Sequence, residues 1–126
     1  MTIFNYRKFF RSFFYATRGL KHLIAREQNA RVHSMVALLV IALAIYLQVS
    51  SIEAAMLFFA IALVFTVEIT NTAIEKLLDV VHPESHNQIA FIKDALAGAV
   101  LIAAIAASVV GILIFLPYLN LSLIHI

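Results

Sequence analysis

Glu68, Asn71, Glu75 and Asp79 are spaced to share one stripe of a helix. At about 100° per residue the four positions fall within a narrow sector of the stretch Val67–Val80. That stretch continues directly from residues 54–67, fourteen residues without a charge and already most of a membrane span. Three carboxylates and an amide at or near membrane depth persist only when paired, metal-bound or lining a wet cavity. A helix that had simply left the bilayer would account for Glu75 and Asp79 as its wet face. It accounts poorly for Glu68, which the apolar run precedes and Ile69-Thr70 follows. The stripe therefore reads as a functional site.

Other groups complete a chemistry. Glu27, in Arg26-Glu27-Gln28-Asn29, sits at the mouth of the first apolar span, and Glu75 near the same level of the second. Two carboxylates from different helices suit Mg²⁺, which takes oxygen ligands and completes its shell with phosphates and water. Glu68 lies two turns deeper than Glu75, about 10 Å by helical rise, where a carboxylate can accept a proton from a hydroxyl. Lys93-Asp94, entering the third span, offers a cation for phosphate oxygens beside another acid. Metal, phosphate grip and base in depth order point to phosphoryl transfer from a water-soluble nucleotide to a lipid hydroxyl. The chain has no GxxxxGK[ST] loop, no GxGxxG and no kinase catalytic-loop signature, which excludes the common ATP-binding folds. His82 and His86 flank Pro83 and read as loop residues rather than metal ligands, with His86 a candidate nucleotide contact; His22, His33 and His125 have no partner visible in sequence.

The elements that position these groups follow from composition. Of 126 residues 63% are hydrophobic and 13% charged, about half the charged share of a soluble domain; mean hydropathy is +1.00. There is no cysteine, so neither a disulfide framework nor a thiolate metal site is possible. Seven of the nine Lys and Arg lie in residues 1–31, against the single acid Glu27. This asymmetry favours a membrane surface or an anionic ligand over nucleic acid.

The expected architecture is all-α and integral to the membrane, one domain over residues 1–126. Residues 3–30 read as an amphipathic surface helix, with Gly19 a candidate break. Phe10, Phe13, Phe14, Thr17 and Ile24 lie on one side, and Lys8, Arg11, Tyr15, Arg18, His22 and Arg26 on the other. Spans are expected at 32–49, 52–78 and 89–116, the last ending before Pro117, with Ser50 or Ser51 as an N-cap and Pro83 as a stop. No cleavable leader precedes them, because the first apolar run of span length begins near residue 32. The distribution of Lys and Arg places the N-terminus and the 82–88 loop in the cytoplasm and the C-terminus outside. Ala99, Ala103, Ala107 and Gly111, with Ala97, Ala104 and Ser108 alongside, form a packing seam. Three spans enclose a large polar site poorly, so a homo-oligomer is expected.

With these residues assembled, a family is recognisable. Glu68-Ile-Thr-Asn-Thr-Ala-Ile-Glu75-x-x-x-Asp79, then Lys93-Asp94-x-x-Ala97-Gly98-Ala99-Val100, with Glu27-x-Asn29-x-Arg31-x-His33 ahead of the first span, resembles the small prokaryotic membrane-embedded diacylglycerol kinases and undecaprenol kinases. The resemblance covers roughly residues 8–117. It implies a homotrimer of three-span subunits, each with an N-terminal surface helix, whose active sites are shared between neighbours and use MgATP in the bacterial cytoplasmic membrane. By position it makes Glu68 the catalytic base and Glu27 and Glu75 the metal carboxylates. Lys93, Asp94, Tyr15 and the Glu84-Ser85-His86 loop become nucleotide contacts, Asn71 falls within the site, and Lys8 falls near the phosphates, in a register where Arg7 or Arg11 would serve equally. Ala97 stands where Gram-negative diacylglycerol kinases usually carry a serine, and the Ala97–Val100, Asn29–His33 and Phe115-Leu116-Pro117 forms are closer to the undecaprenol kinases. An apolar lining suits a polyprenol, so undecaprenol is the expected lipid and diacylglycerol the alternative. A transporter or proton relay using the intramembrane carboxylates, and a non-catalytic membrane scaffold, are the competing classes.

Overall fold

A computed structural model describes residues 3–84 and 86–124, with side chains described through 121. It contains four helices in sequence: α1 (Tyr6–Arg26), α2 (Gln28–Leu47), α3 (Ser51–Val81) and α4 (Asn87–Ile124). α2, α3 and α4 are long and apolar enough to cross a membrane. α2, with 20 residues, rises about 30 Å, the thickness of the hydrocarbon core.

Each boundary has a local cause. Asn5 caps α1, its side-chain carbonyl accepting from the backbone N–H of Arg7 and Lys8 at 3.1 and 3.2 Å. The helix runs through Gly19, the expected break, and ends at Glu27 instead. Glu27 is extended (φ −106°, ψ 122°) and separates α1 from α2. Its N–H still donates to Leu23 O at 2.8 Å and its carbonyl accepts from Arg31 N at 3.2 Å, so the chain turns without leaving backbone groups unpaired there. α2 stops at Gln48, which takes the left-handed conformation (φ 52°, ψ 52°), unusual for a residue other than glycine. Of the two candidate caps the structure uses Ser50. Its hydroxyl accepts from Glu53 N at 3.2 Å while the Glu53 carboxylate accepts from Ser50 N at 3.0 Å, a capping box. α3 ends at His82, ahead of Pro83. α4 does not end before Pro117 but passes through it to Ile124. A proline this close to a helix end removes only one backbone bond, to the carbonyl of Leu113. Tyr118, next in sequence, is tied by its hydroxyl to the Glu53 carboxylate.

α4 packs chiefly on α3, α2 on α3 less extensively, and α1 on α2. The buried cluster of Leu57, Ile114 and Phe115, with Val40, Leu43 and Ala44 against it, sits toward the Ser50 end. Large apolar side chains such as Leu39, Ile45, Phe58, Phe59, Ile102 and Leu113 face outward along all three long helices. So much exposed apolar surface suits lipid or neighbouring helices rather than water. Of the small-residue seam, Ala103 is buried and Ala104, Ala107 and Gly111 are half-buried, whereas Ala97, Ala99 and Ser108 are exposed. A side chain added at Gly111 would meet nothing, so no contact within the chain requires glycine there.

Candidate active site

The acidic stripe emerges from the protein by degrees along α3. Glu68 is 2% exposed, Asn71 8%, Glu75 is half-buried and Asp79 is open to solvent. Val64, one turn before Glu68, is also buried, so the helix enters the site from an apolar packing face. The far end of the stripe is thus a wet helix face, as an exit from the bilayer would produce. Glu68 and Asn71 are different. Glu68 Oε2 and Asn71 Oδ1 accept no hydrogen bond from any described residue, and buried polar atoms left in that condition are rare.

What faces Glu68 is His33 of α2, whose Nε2 lies 3.7 Å from Oε2. Glu27, Glu75 and His33 are the charged or titratable side chains that act electrostatically on Glu68, the two carboxylates with like charge. Lys76, beside Glu75 in the chain, places Nζ 3.7 Å from Glu27 Oε1, so the α1–α2 junction and this turn of α3 lie at one level. The extended backbone at Glu27 is what brings its side chain there. Among the described residues no three His, Cys, Asp or Glu gather as a metal cage. Glu27 and Glu75, which both act on Glu68, are the carboxylates that could serve a hard divalent cation completing its shell with phosphate oxygens and water.

A second group forms where α3 and α4 meet. Lys93 donates to Asp79 Oδ1 at 2.7 Å, so its partner is the last acid of the stripe rather than adjacent Asp94, which is exposed. Asp79 and Lys93, with His82, Pro83, Glu84, His86, Asn87, Ile89 and Ala90, line a polar cleft of about 350 Å³. His86 Nδ1 accepts from Gln88 N at 3.0 Å, and the His82 Nδ1–H donates to the Glu84 carbonyl at 3.0 Å. The first of these bonds caps the start of α4, and the second is local to the residues after α3. Ser85 lies outside the described residues.

The structure thus sets Glu27 and Glu75 within electrostatic reach of Glu68, with Asn71 buried on the same helix, and separately gathers Glu84, His86 and Lys93 in the polar cleft. Lys8 and Tyr15 stand apart, exposed on α1, and Ala97 is exposed one turn beyond Lys93; none of the three lines the polar cleft. Two participants were not visible as such in the sequence, His33 and Lys76. Their partners lie on other helices, and no spacing along the chain signals a contact across two of them. A mostly apolar groove of about 660 Å³ runs among α2, α3 and α4, and His33 is one of its few polar walls.

The sequence profile of the prokaryotic diacylglycerol kinases matches residues 14–115. The chain is 37% identical over 112 residues to the undecaprenol kinase of Bacillus subtilis, covering 89% of this chain and 91% of that protein. It is 41% identical over 107 residues to a diacylglycerol kinase of Synechocystis, covering 84% of this chain and 61% of the relative. To the diacylglycerol kinase of Escherichia coli K12 it is 36% identical over 93 residues, covering 74% and 76%. The matched segment takes in Glu27, the whole stripe, the 82–88 loop and Lys93-Asp94. The chain belongs to the prokaryotic diacylglycerol kinase family.

Proposed function

We propose that this protein is a membrane lipid kinase that transfers the γ-phosphoryl group of ATP to the hydroxyl of a lipid alcohol, most suitably undecaprenol. The observation that carries the reading is Glu68, a carboxylate 2% exposed with an oxygen that no described residue satisfies, beside an apolar groove. A lipid tail fits such a groove, and a hydroxyl at its polar end has a proton acceptor within reach. In the reaction the hydroxyl proton passes to Glu68 as its oxygen bonds to the γ-phosphorus and the bond to the ADP oxygen breaks. Glu27 and Glu75 hold Mg²⁺, which supplies charge neutralisation at the phosphates. Lys93, aimed by Asp79, serves the phosphate oxygens. Glu84, Ser85, His86 and Asp94 serve the nucleotide at the α3–α4 end, and Asn71, buried on the stripe between Glu68 and Glu75, contributes its amide to the site.

Lys8 and Tyr15 reach nucleotide only if α1 lies against a neighbouring subunit, which accords with a homotrimer whose sites are shared. The exposed apolar faces of the long helices and the open space at Gly111 leave room for neighbouring helices. α1 itself, basic on one side and aromatic on the other, is then a surface helix at the headgroups. Its cations favour the cytoplasmic face of the bacterial inner membrane, with the C-terminus outside.

Undecaprenol is preferred because Ala97 offers no hydroxyl to a glycerol backbone, and a relative matched over nine-tenths of its length is an undecaprenol kinase. Diacylglycerol is the second reading, favoured by the Synechocystis relative's identity of 41%. The deciding measurement offers each lipid separately to the purified protein with labelled ATP and Mg²⁺, with and without a chelator. Transfer to undecaprenol above diacylglycerol, abolished by the chelator, is expected. The reverse preference keeps the mechanism and overturns the role of Ala97; transfer to neither by a folded oligomer overturns the kinase.

A further inference from the structure

We propose that His33 is the positioning residue of Glu68, holding the buried carboxylate in the orientation and charge state in which it accepts the proton. The proposal rests on Glu68 being the base. Three observations lead to it.

The first is geometric. His33 Nε2 lies 3.7 Å from Glu68 Oε2, and Oε2 has no hydrogen bond from any described residue. The separation is within ion-pair range and just beyond a hydrogen bond, so a small side-chain adjustment closes it.

The second is electrostatic. Glu27 and Glu75 bear on Glu68 with like charge, and among the described residues His33 is the side chain with a ring nitrogen turned to its unsatisfied oxygen. An ionised carboxylate buried beside two others is costly unless a donor faces it.

The third is how His33 is held. Ala30 and Ala37, both buried, flank it at i−3 and i+4 on the same face of α2. Small residues on that face allow α2 to approach its neighbour closely, which places the imidazole over Glu68 instead of away from it. His33 also walls the apolar groove, so a lipid hydroxyl arriving there meets the pair together. His33 exchanges no proton in the reaction: the hydroxyl proton goes to Glu68 and the imidazole N–H stays directed at Oε2.

The experiment compares wild type, His33→Phe, His33→Gln and Glu68→Gln in a lipid bilayer. It measures kcat, KM for ATP and KM for the lipid alcohol. Independently of turnover, it measures modification of Glu68 by dicyclohexylcarbodiimide, which attacks protonated carboxyl groups in apolar surroundings. His33→Phe is expected to lower kcat by about 10- to 100-fold, the range found when a hydrogen-bonding partner that orients a metal ligand is removed, with KM for ATP unchanged. Glu68 should then be modified faster. His33→Gln retains an N–H donor and should recover most of kcat and slow the modification again; it also carries the test if the phenylalanine variant fails to assemble. Unchanged kcat and unchanged Glu68 modification in both variants overturn the proposal, as does equal impairment of both without any change in modification. Inactive Glu68→Gln beside fully active His33→Phe removes the positioning role and leaves the base reading standing. Active Glu68→Gln removes the base, and faster modification in His33→Phe would still place His33 in control of that carboxylate.

Discussion

Two glutamates on α3, fifteen residues and about 22 Å of helical rise apart, sit in opposite environments on one helix. Glu53 accepts from Ser50 N and from the Tyr118 hydroxyl, so it caps α3 and ties the segment after Pro117 to the α2–α3 turn. Glu68 is far more buried, yet Oε2 has no hydrogen bond from any described residue, and two further carboxylates act on it. The satisfied group serves stability. The unsatisfied one is a local cost that the rest of the fold must sustain, and such costs gather at sites of chemistry.

The difference between the two is tested most sharply at Glu68. Glu68→Gln keeps the shape and removes the proposed proton acceptor, so turnover should fall about 10³-fold, within the usual range for a general base. Oligomeric state should hold, and thermal stability should hold or rise, because the change removes a charge from beside Glu27 and Glu75. Turnover, size-exclusion profile and unfolding midpoint measured on one preparation test this. A variant that loses its assembly along with its activity would make Glu68 a structural group like Glu53.

A smaller effect is expected where the stripe reaches solvent. Asp79→Asn leaves Lys93 without its charged partner, and a lysine aimed less well at phosphate should raise KM for ATP by about tenfold. The effect on kcat should be smaller and KM for lipid should not move. Steady-state kinetics with each substrate varied in turn checks the split. An equal rise in both KM values would make the Asp79–Lys93 bond a clamp between α3 and α4 and nothing more.

These regions also differ in how far the sequence disclosed them. The three long helices were legible because an uncharged apolar run of span length is soluble only in a bilayer or among neighbouring helices. The stripe was legible because helical periodicity alone puts Glu68, Asn71, Glu75 and Asp79 together. Ser50 and Pro83 were legible as local stereochemistry. What crosses between helices was not: the register of α2 on α3 pairs His33 with Glu68, and that of α4 on α3 gives Lys93 to Asp79 rather than to its neighbour Asp94. Local signals also misled. Gly19 lowers helix propensity without ending α1, since a single glycine costs only about 1 kcal/mol, and the break falls at Glu27, which no propensity scale marks. Pro117 suggested an end to α4, but a proline near a terminus forfeits one bond, and Tyr118 holds the following turn.

That last contact gives the smallest expected effect and the control for the others. Tyr118→Phe keeps the ring and removes the hydroxyl that donates to Glu53, while the capping box with Ser50 remains. Turnover should stay within about twofold of wild type, because Glu53 and Glu68 share no partner and lie far enough apart for independent effects. The unfolding midpoint should drop by a few degrees, reflecting one lost charge-assisted bond at a half-exposed position. Thermal unfolding in detergent and a single transfer assay measure both. If turnover instead fell with the midpoint unchanged, the Ser50 end of α3 would be coupled to the site through the helix itself. The division between a carboxylate for stability and one for chemistry would then have to be abandoned.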